Sequence, residues 1–203
     1  SGRSEPAVVD TRNSVPTGAG LASSASGFAA LALAGAAAYG LDLDRTVLSR
    51  LARRGSASAS RSMFGGFAVC HAGRGIGTAA DFGSYAEPVK DADLDPALVI
   101  AVVDAGAKAV SSRDAMRRTV ETSPLYRAWA ASCAADLAEM RAALRRGDLR
   151  AVGETAERNA LGMHATMLAA RPAVRYFSPA TLGVLDAVLR LRADGVPAYA
   201  TMD

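Results

Sequence analysis

Residues 16–27 read PTGAGLASSASG and combine three backbone properties suited to holding an anion. Gly18 and Gly20 lack a Cβ, so the chain can turn through positive φ there and bring N–H groups close to a ligand. Ser23, Ser24 and Ser26 add hydroxyls at the mouth of an alanine-rich helical run, whose first N–H groups have no internal partner and carry the positive end of the helix dipole. The guest such a loop suits is a polyphosphate, with Pro16, Gly18, Ala19, Gly20, Leu21, Ala22, Ser23 and Ser24 as its lining. By composition alone, a glycine-serine turn that merely starts a helix fits equally well. No GK[ST] follows, so this is not a Walker A loop. Asp42 and Asp44 stand roughly 20 residues on, where a dinucleotide fold places its ribose acid, but both fall beyond the helix and not on a strand.

A second group of small residues, GSASASRS at 55–62, sets Ser56, Ser58, Ser60 and Ser62 around Arg61. A flexible linker has a similar composition. The arginine in its middle and the strand-like run straight after it favour an anion site. A third turn, KAVSSRDAM at 108–116, places Ser111, Ser112 and Arg113 just after an apolar run, where α/β proteins put ligands. Asp203, read alone, is only an acid at the end of the chain. His164 sits among Leu161, Met163 and Met167 and reads as a packed structural histidine. His71 has no acid or thiol partner in view along the sequence and reads as a surface residue. Met163 and Met167 read as core, and Met116 as core or pocket lining.

The elements that must position these groups follow from pattern. Ala7–Asp10 reads as the end of a strand, and Leu21–Tyr39 as a helix buried on most sides, ended by Gly40. Asp44 is a plausible N-cap for a helix carrying Val47, Leu48 and Leu51, with Arg50, Arg53 and Arg54 in its last turn and Gly55 after it. A strand is expected over Gly66–His71, a loop over 72–96 with room for a short strand near Ser84–Val89, and the clearest strand at 98–106, LVIAVVDAG. Segments 125–145 and 148–169 form an amphipathic hairpin joined at Gly147, and a third helix starts near Ser178 and Pro179 and ends at Gly195. The last residues, VPAYATMD, read as a further strand.

Composition bounds the function. Of 203 residues half are hydrophobic and 21% charged, enough to bury a core, and the net charge is only +3 with few aromatics. Nucleic-acid binding is therefore a weak reading. No apolar run is long enough to span a membrane, and no secretory leader is recognisable at the start. Cys70 and Cys133 match no metal-ligand or disulfide spacing, which suits a reducing cytoplasm.

Five blocks, PTGAGLASSASGFAAL, LARRGSASASRSMFGGFAV, KAVSSRDAMRRTVETSPLY, ERNALGMHATML and YATMD, resemble in order and spacing the diphosphomevalonate decarboxylase family of the GHMP kinase superfamily, its actinobacterial branch most of all. The resemblance spans essentially the whole chain. It implies an α+β, two-lobe GHMP-kinase-like fold: residues 1–90 would be part of a nucleotide-binding N-terminal lobe resembling ribosomal protein S5 domain 2. Residues 91–203 would be a C-terminal lobe ending at the catalytic strand terminus.

The activity implied is ATP- and Mg2+-dependent: phosphorylation of the 3-hydroxyl of mevalonate 5-diphosphate, then loss of phosphate and CO2 through a carbocation-like carbon, giving isopentenyl diphosphate. By the same resemblance Ser24 reaches phosphate or metal; Ser56, Ser58 and Arg61 bind the substrate's diphosphate and carboxylate, with Arg61 also catalytic; Ser112, Arg113 and Met116 contact substrate; and Asp203 takes or orients the hydroxyl proton. A cytoplasmic homodimer is implied too. A related enzyme acting on mevalonate or its monophosphate, or an inactive piece that binds nucleotide or a partner, are the alternatives.

The sequence departs from the family pattern at Ala57, usually glycine, at Cys70, usually tryptophan, and at Ala107, usually proline. Ala57 would be strained if that position requires positive φ. The family also carries a segment with a substrate lysine before this stretch and an AGPN-like turn after the aspartate, so the chain reads as a fragment, expected to expose sheet edges and apolar helix faces.

Overall fold

The structure is a computed structural model that describes residues 6–14, 22–75, 77–104 and 110–202. The chain divides into two units, Ser1–Lys90 and Asp91–Asp203.

In the first unit, α1 (Ser23–Ala38) and α2 (Arg45–Gly55) pack on each other and on a 3-10 turn over Ala57–Met63. Gly40, at φ 60°, ends α1 as its composition requires, and the Leu41 N–H closes back on the Ala36 carbonyl at 2.8 Å. Only Ala25, Ala29 and Ala36 of α1 are buried, one narrow stripe at helical spacing. The helix is thus not buried on most sides: Phe28, Leu31 and Leu33 are exposed among the described residues. Asp44 caps α2 by accepting the Val47 N–H at 2.8 Å. Leu48 and Ala52 join the α1 stripe with Ala59 and Met63 in one core cluster. Phe28 lies so close over Gly55 that a Cβ there would overlap its ring. The Arg45 guanidinium donates to the Met63 carbonyl at 2.6 Å and ties the end of the 3-10 turn to the start of α2.

Strand β1 (Ala68–Cys70) pairs antiparallel with β2 (Ala86–Pro88), Val69 opposite Glu87. Both fall within the expected ranges. Between them lies α3 (Thr78–Gly83), a six-residue helix that the glycine-rich sequence does not announce. The buried Ser49 hydroxyl of α2 accepts the Ala86 N–H at 3.0 Å and anchors β2.

In the second unit, α5 (Tyr126–Arg145) and α6 (Leu149–Leu168) make the expected hairpin, turning at Gly147 with φ 63°. Helix α7 (Pro179–Ala193) begins with a capping box between Ser178 and Thr181 and has proline in its first turn, as read. One helix was not expected: α4 (Ser112–Thr122), which packs on α6 through Ala115, Met167, Ala170 and Val174, with Met116, Met163 and Tyr176 at the edge of that cluster.

Three expected strands are absent from the described residues. Ala7–Asp10 and 98–104 form no strand ladder, with Leu98 86% and Val99 92% exposed, and 196–202 is likewise without a ladder. A strand takes its hydrogen bonds from a neighbour, so an apolar, valine-rich sequence forms one only where a partner strand lies alongside. Among the described residues no helix is long and apolar enough to cross a membrane.

Candidate active site

At the entry to α1, Ala22 occupies the N-cap in a left-handed conformation, φ 49° and ψ 40°, with no side-chain cap. No acidic residue stands in the first turn. Among the described residues no side chain caps the leading N–H groups, which carry the positive end of the helix dipole, an arrangement suited to an anion.

Ser24 and Ser56 are 32 positions apart, yet their hydroxyl oxygens lie 3.4 Å from each other. Ser56 in turn lies 3.1 Å from Ser58. Ser56 serves both as C-cap of α2 and as N-cap of the 3-10 turn, in extended conformation, and this double role aims its hydroxyl at the mouth of α1. The result is a row of three hydroxyls joining the first and second sequence motifs. Ser60 is buried and turns inward, donating to the Ala57 carbonyl at 2.8 Å. Arg61 is exposed, and among the described residues no carboxylate pairs with it. Ala57 is not at positive φ, so the strain expected there is absent.

In the second unit the turn at 110–113 is held by more groups than the sequence suggested. Ser111 is the N-cap of α4, accepting the Asp114 N–H at 3.1 Å while donating to Asp114 Oδ2 at 2.7 Å. Its S-x-x-D spacing is a capping signal that could have been read from sequence. The Tyr176 hydroxyl donates to the Val110 carbonyl at 3.0 Å, and the Ser112 side chain is hydrogen-bonded to it. Burial pushes the Tyr176 phenol up, and the Ser112 bond partly opposes that. Nothing in the local sequence signals this tether across 66 positions.

Ser112 and Arg113 are exposed on the first turn of α4, and Met116 is half-buried against the core. A depression of about 440 Å³ beside α4 is lined by Ser111, Asp114, Arg117, Arg118, Glu121 and Arg171 among others, and Ser112 and Arg113 are not part of it.

His164 is 4% exposed and packs against Phe177 and Tyr176, the structural role expected of it. His71 does have an acid partner: Nε2 lies 2.9 Å from Glu87 on β2. Among the described residues no three His, Cys, Asp or Glu side chains cluster as a metal site, and both cysteines are free. Pro16, Gly18, Ala19, Gly20, Leu21, Ala107 and Asp203 lie outside the described residues.

Comparison with known proteins assigns both halves. Residues 2–82 match the diphosphomevalonate decarboxylase-like N-terminal domain, and residues 98–195 the mevalonate 5-diphosphate decarboxylase C-terminal domain. The human diphosphomevalonate decarboxylase is 39% identical over 184 residues, 89% of this chain and 44% of that protein. A phosphomevalonate decarboxylase of Haloferax volcanii is 36% identical over 196 residues, 96% of this chain and 58% of that protein.

Among solved structures, MDDEF in complex with MVAPP, AMPPCP and magnesium is 44% identical with a TM-score of 0.81, covering 93% of this chain and 57% of that one. The mevalonate diphosphate decarboxylase from Staphylococcus aureus is 40% identical, also with a TM-score of 0.81, over 93% of this chain and 56% of that one. The chain spans about half the length of the curated relatives it matches. Fold and site together define an α+β chain of the GHMP-kinase-like class. Within that class, it belongs to the diphosphomevalonate decarboxylase family.

Proposed function

We propose that the chain carries the ATP- and Mg2+-dependent decarboxylation of mevalonate 5-diphosphate to isopentenyl diphosphate in isoprenoid biosynthesis, with Ser1–Lys90 as the nucleotide-binding lobe and Asp91–Asp203 as the C-terminal lobe. The observation that carries the reading is the hydroxyl row Ser24–Ser56–Ser58, which puts the uncapped start of α1 beside the 3-10 turn. Residues 16–24 then hold the triphosphate, which when bound supplies the phosphoryl group. Backbone N–H groups at the start of α1 suit its oxygens, and the Ser24 hydroxyl suits an Mg2+ already carried by phosphate, since that ion usually keeps few protein ligands. The solved relative that binds MVAPP together with AMPPCP, an ATP analogue, and magnesium supports both cofactors.

Ser56, Ser58 and Arg61 grip the substrate's diphosphate and carboxylate, where a guanidinium makes paired, charge-assisted bonds. Ser112, Arg113 and Met116 contact it from α4. Asp203 orients the 3-hydroxyl and takes its proton; for a tertiary alcohol, positioning and charge stabilisation outweigh base strength. The family resemblance also supports a homodimer acting in the cytoplasm.

The test is ATP-dependent release of labelled CO2 from carboxyl-labelled mevalonate 5-diphosphate by the natural gene product. Release from the diphosphate, greatly slowed but still measurable in Asp203→Asn, is the expected result. The likeness to the Haloferax volcanii phosphomevalonate decarboxylase makes the monophosphate the control. Turnover of the monophosphate alone would replace this reading.

A further inference from the structure

Among the described residues the segment that leads to Asp203 makes no ladder, yet two side chains of the helices beneath it hold it at three points. Arg192, in the last turn of α7, and Glu157, midway along α6, form a bidentate pair: Nη1 to Oε1 at 3.1 Å and Nη2 to Oε2 at 2.7 Å. Each partner then uses its remaining capacity on the backbone of the terminal segment. Arg192 Nε donates to the Ala198 carbonyl at 3.0 Å, and Glu157 Oε2 accepts the Ala200 N–H at 2.9 Å. Between those two contacts, the Arg192 guanidinium lies 4.4 Å over the Tyr199 ring. The ring also rests on α6 at Gly153, where a Cβ would overlap it.

Both charged side chains are well covered, 28% exposed for Arg192 and 16% for Glu157. Burial alone would raise the Glu157 carboxyl, but the Arg192 bonds, the Ala200 N–H and the Arg192 charge together hold it below the usual carboxylate value. A pair whose only office was to join α6 to α7 would not need an arginine nitrogen and a carboxylate oxygen turned onto successive peptide groups of a third segment. The two side chains supply a donor and an acceptor to adjacent peptide groups of the terminal segment.

We propose that Glu157 and Arg192 are positioning residues for the catalytic step, clamping Ala198–Ala200 so that Asp203, three residues on, is delivered in register to the reacting hydroxyl. This rests on the role assigned to Asp203 above. Three residues of chain reach at most about 11 Å, so the clamp limits how far the aspartate can stand from Ala200. Misplacement of about 1 Å at a reacting group costs on the order of 100-fold in rate, whereas substrate and nucleotide binding, made elsewhere, should hold.

The experiment compares Glu157→Gln, Glu157→Ala and Arg192→Lys in the natural gene product, with Arg145→Ala, which breaks the exposed Arg145–Asp91 pair at the end of α5, as control. The readouts are ATP-dependent CO2 release with KM for both substrates, and the same variants made in an Asp203→Asn background. Expected is a fall in kcat of roughly 10- to 100-fold for Glu157→Ala and Arg192→Lys, a smaller fall for Glu157→Gln, KM values within about 3-fold, and no change in the control. In the Asp203→Asn background the Glu157 and Arg192 changes should add nothing, because the group they position is already gone.

Equal losses in both backgrounds, or unchanged kcat in Glu157→Gln and Arg192→Lys, overturn the clamp. Full activity in Asp203→Asn instead overturns the role of the aspartate itself. Should Glu157→Ala fail to fold, the two conservative variants decide.

Discussion

Ser24 Oγ stands 3.4 Å from Ser56 Oγ, which brings the first turn of α1 into contact with the hinge between α2 and the 3-10 turn. The two serine-rich motifs are therefore parts of one hydroxyl-lined surface. On the proposed function, Ser56→Ala removes a hydrogen bond to a charged ligand, a loss of about 1.5–3 kcal/mol. Affinity for mevalonate 5-diphosphate should fall by roughly 10- to 100-fold, read by titration calorimetry, with the melting temperature changed by only a few degrees.

Ala22 and Ala57 should respond with opposite signs to the same substitution. Ala22 is held at φ 49°, where an L-residue costs about 1–2 kcal/mol, so Ala22→Gly should stabilise by about 0.5–1 kcal/mol after the added freedom of the unfolded chain is subtracted. Ala57 sits in an ordinary conformation at the start of the 3-10 turn, so Ala57→Gly, the residue usual in the family, should destabilise by about 0.5–1 kcal/mol. Thermal unfolding of the two variants side by side tests the pair.

Tyr176→Phe leaves the Val110 carbonyl without its donor and removes the hydroxyl that Ser112 meets. The expected cost is about 1–3 kcal/mol in stability by denaturant unfolding. Affinity for the diphosphate should weaken as well, since the start of α4 loses its tether.

Asp81 accepts from both Arg53 and Arg54, with Arg50 nearby at 3.9 Å. Its carboxyl is held below the usual value, first by the hydrogen bond from Arg54, against some opposing burial, then by the charges of Arg54, Arg53 and Arg50. A carboxylate depressed in the folded state contributes stability above its unfolded value, and that contribution disappears as pH falls through the folded one. Urea unfolding should therefore show stability declining as pH drops below the ordinary carboxylate range, with a shallower decline in Asp81→Asn.

Gly153→Ala should destabilise by about 1–3 kcal/mol although alanine is the better helix former, because the added methyl meets the inner edge of the Tyr199 ring and not a free side-chain end. Differential scanning calorimetry would register it.

What could be read without coordinates depends on neighbours in sequence, although α3, α4 and the Ser111 cap, equally local, were not read. Asp44 and Ser178 as caps, Gly40 and Gly147 as stops, Pro179 in a first turn and the α5–α6 hairpin all follow from hydrogen bonds made within four residues. The serines, glycines and arginines of the candidate site were also legible as types. Their association was not: Ser24 meets Ser56 across 32 positions, Tyr176 meets Val110 across 66, and Glu157 reaches Ala200 across 43.

The valine-rich run at 98–104 shows the limit from the other side. Its composition is that of a buried strand, but a strand is a property of two segments, and among the described residues none lies beside it. Helices close their hydrogen bonds on themselves and so are written locally, whereas ladders, tethers and clamps join distant residues and exist only once the chain has folded.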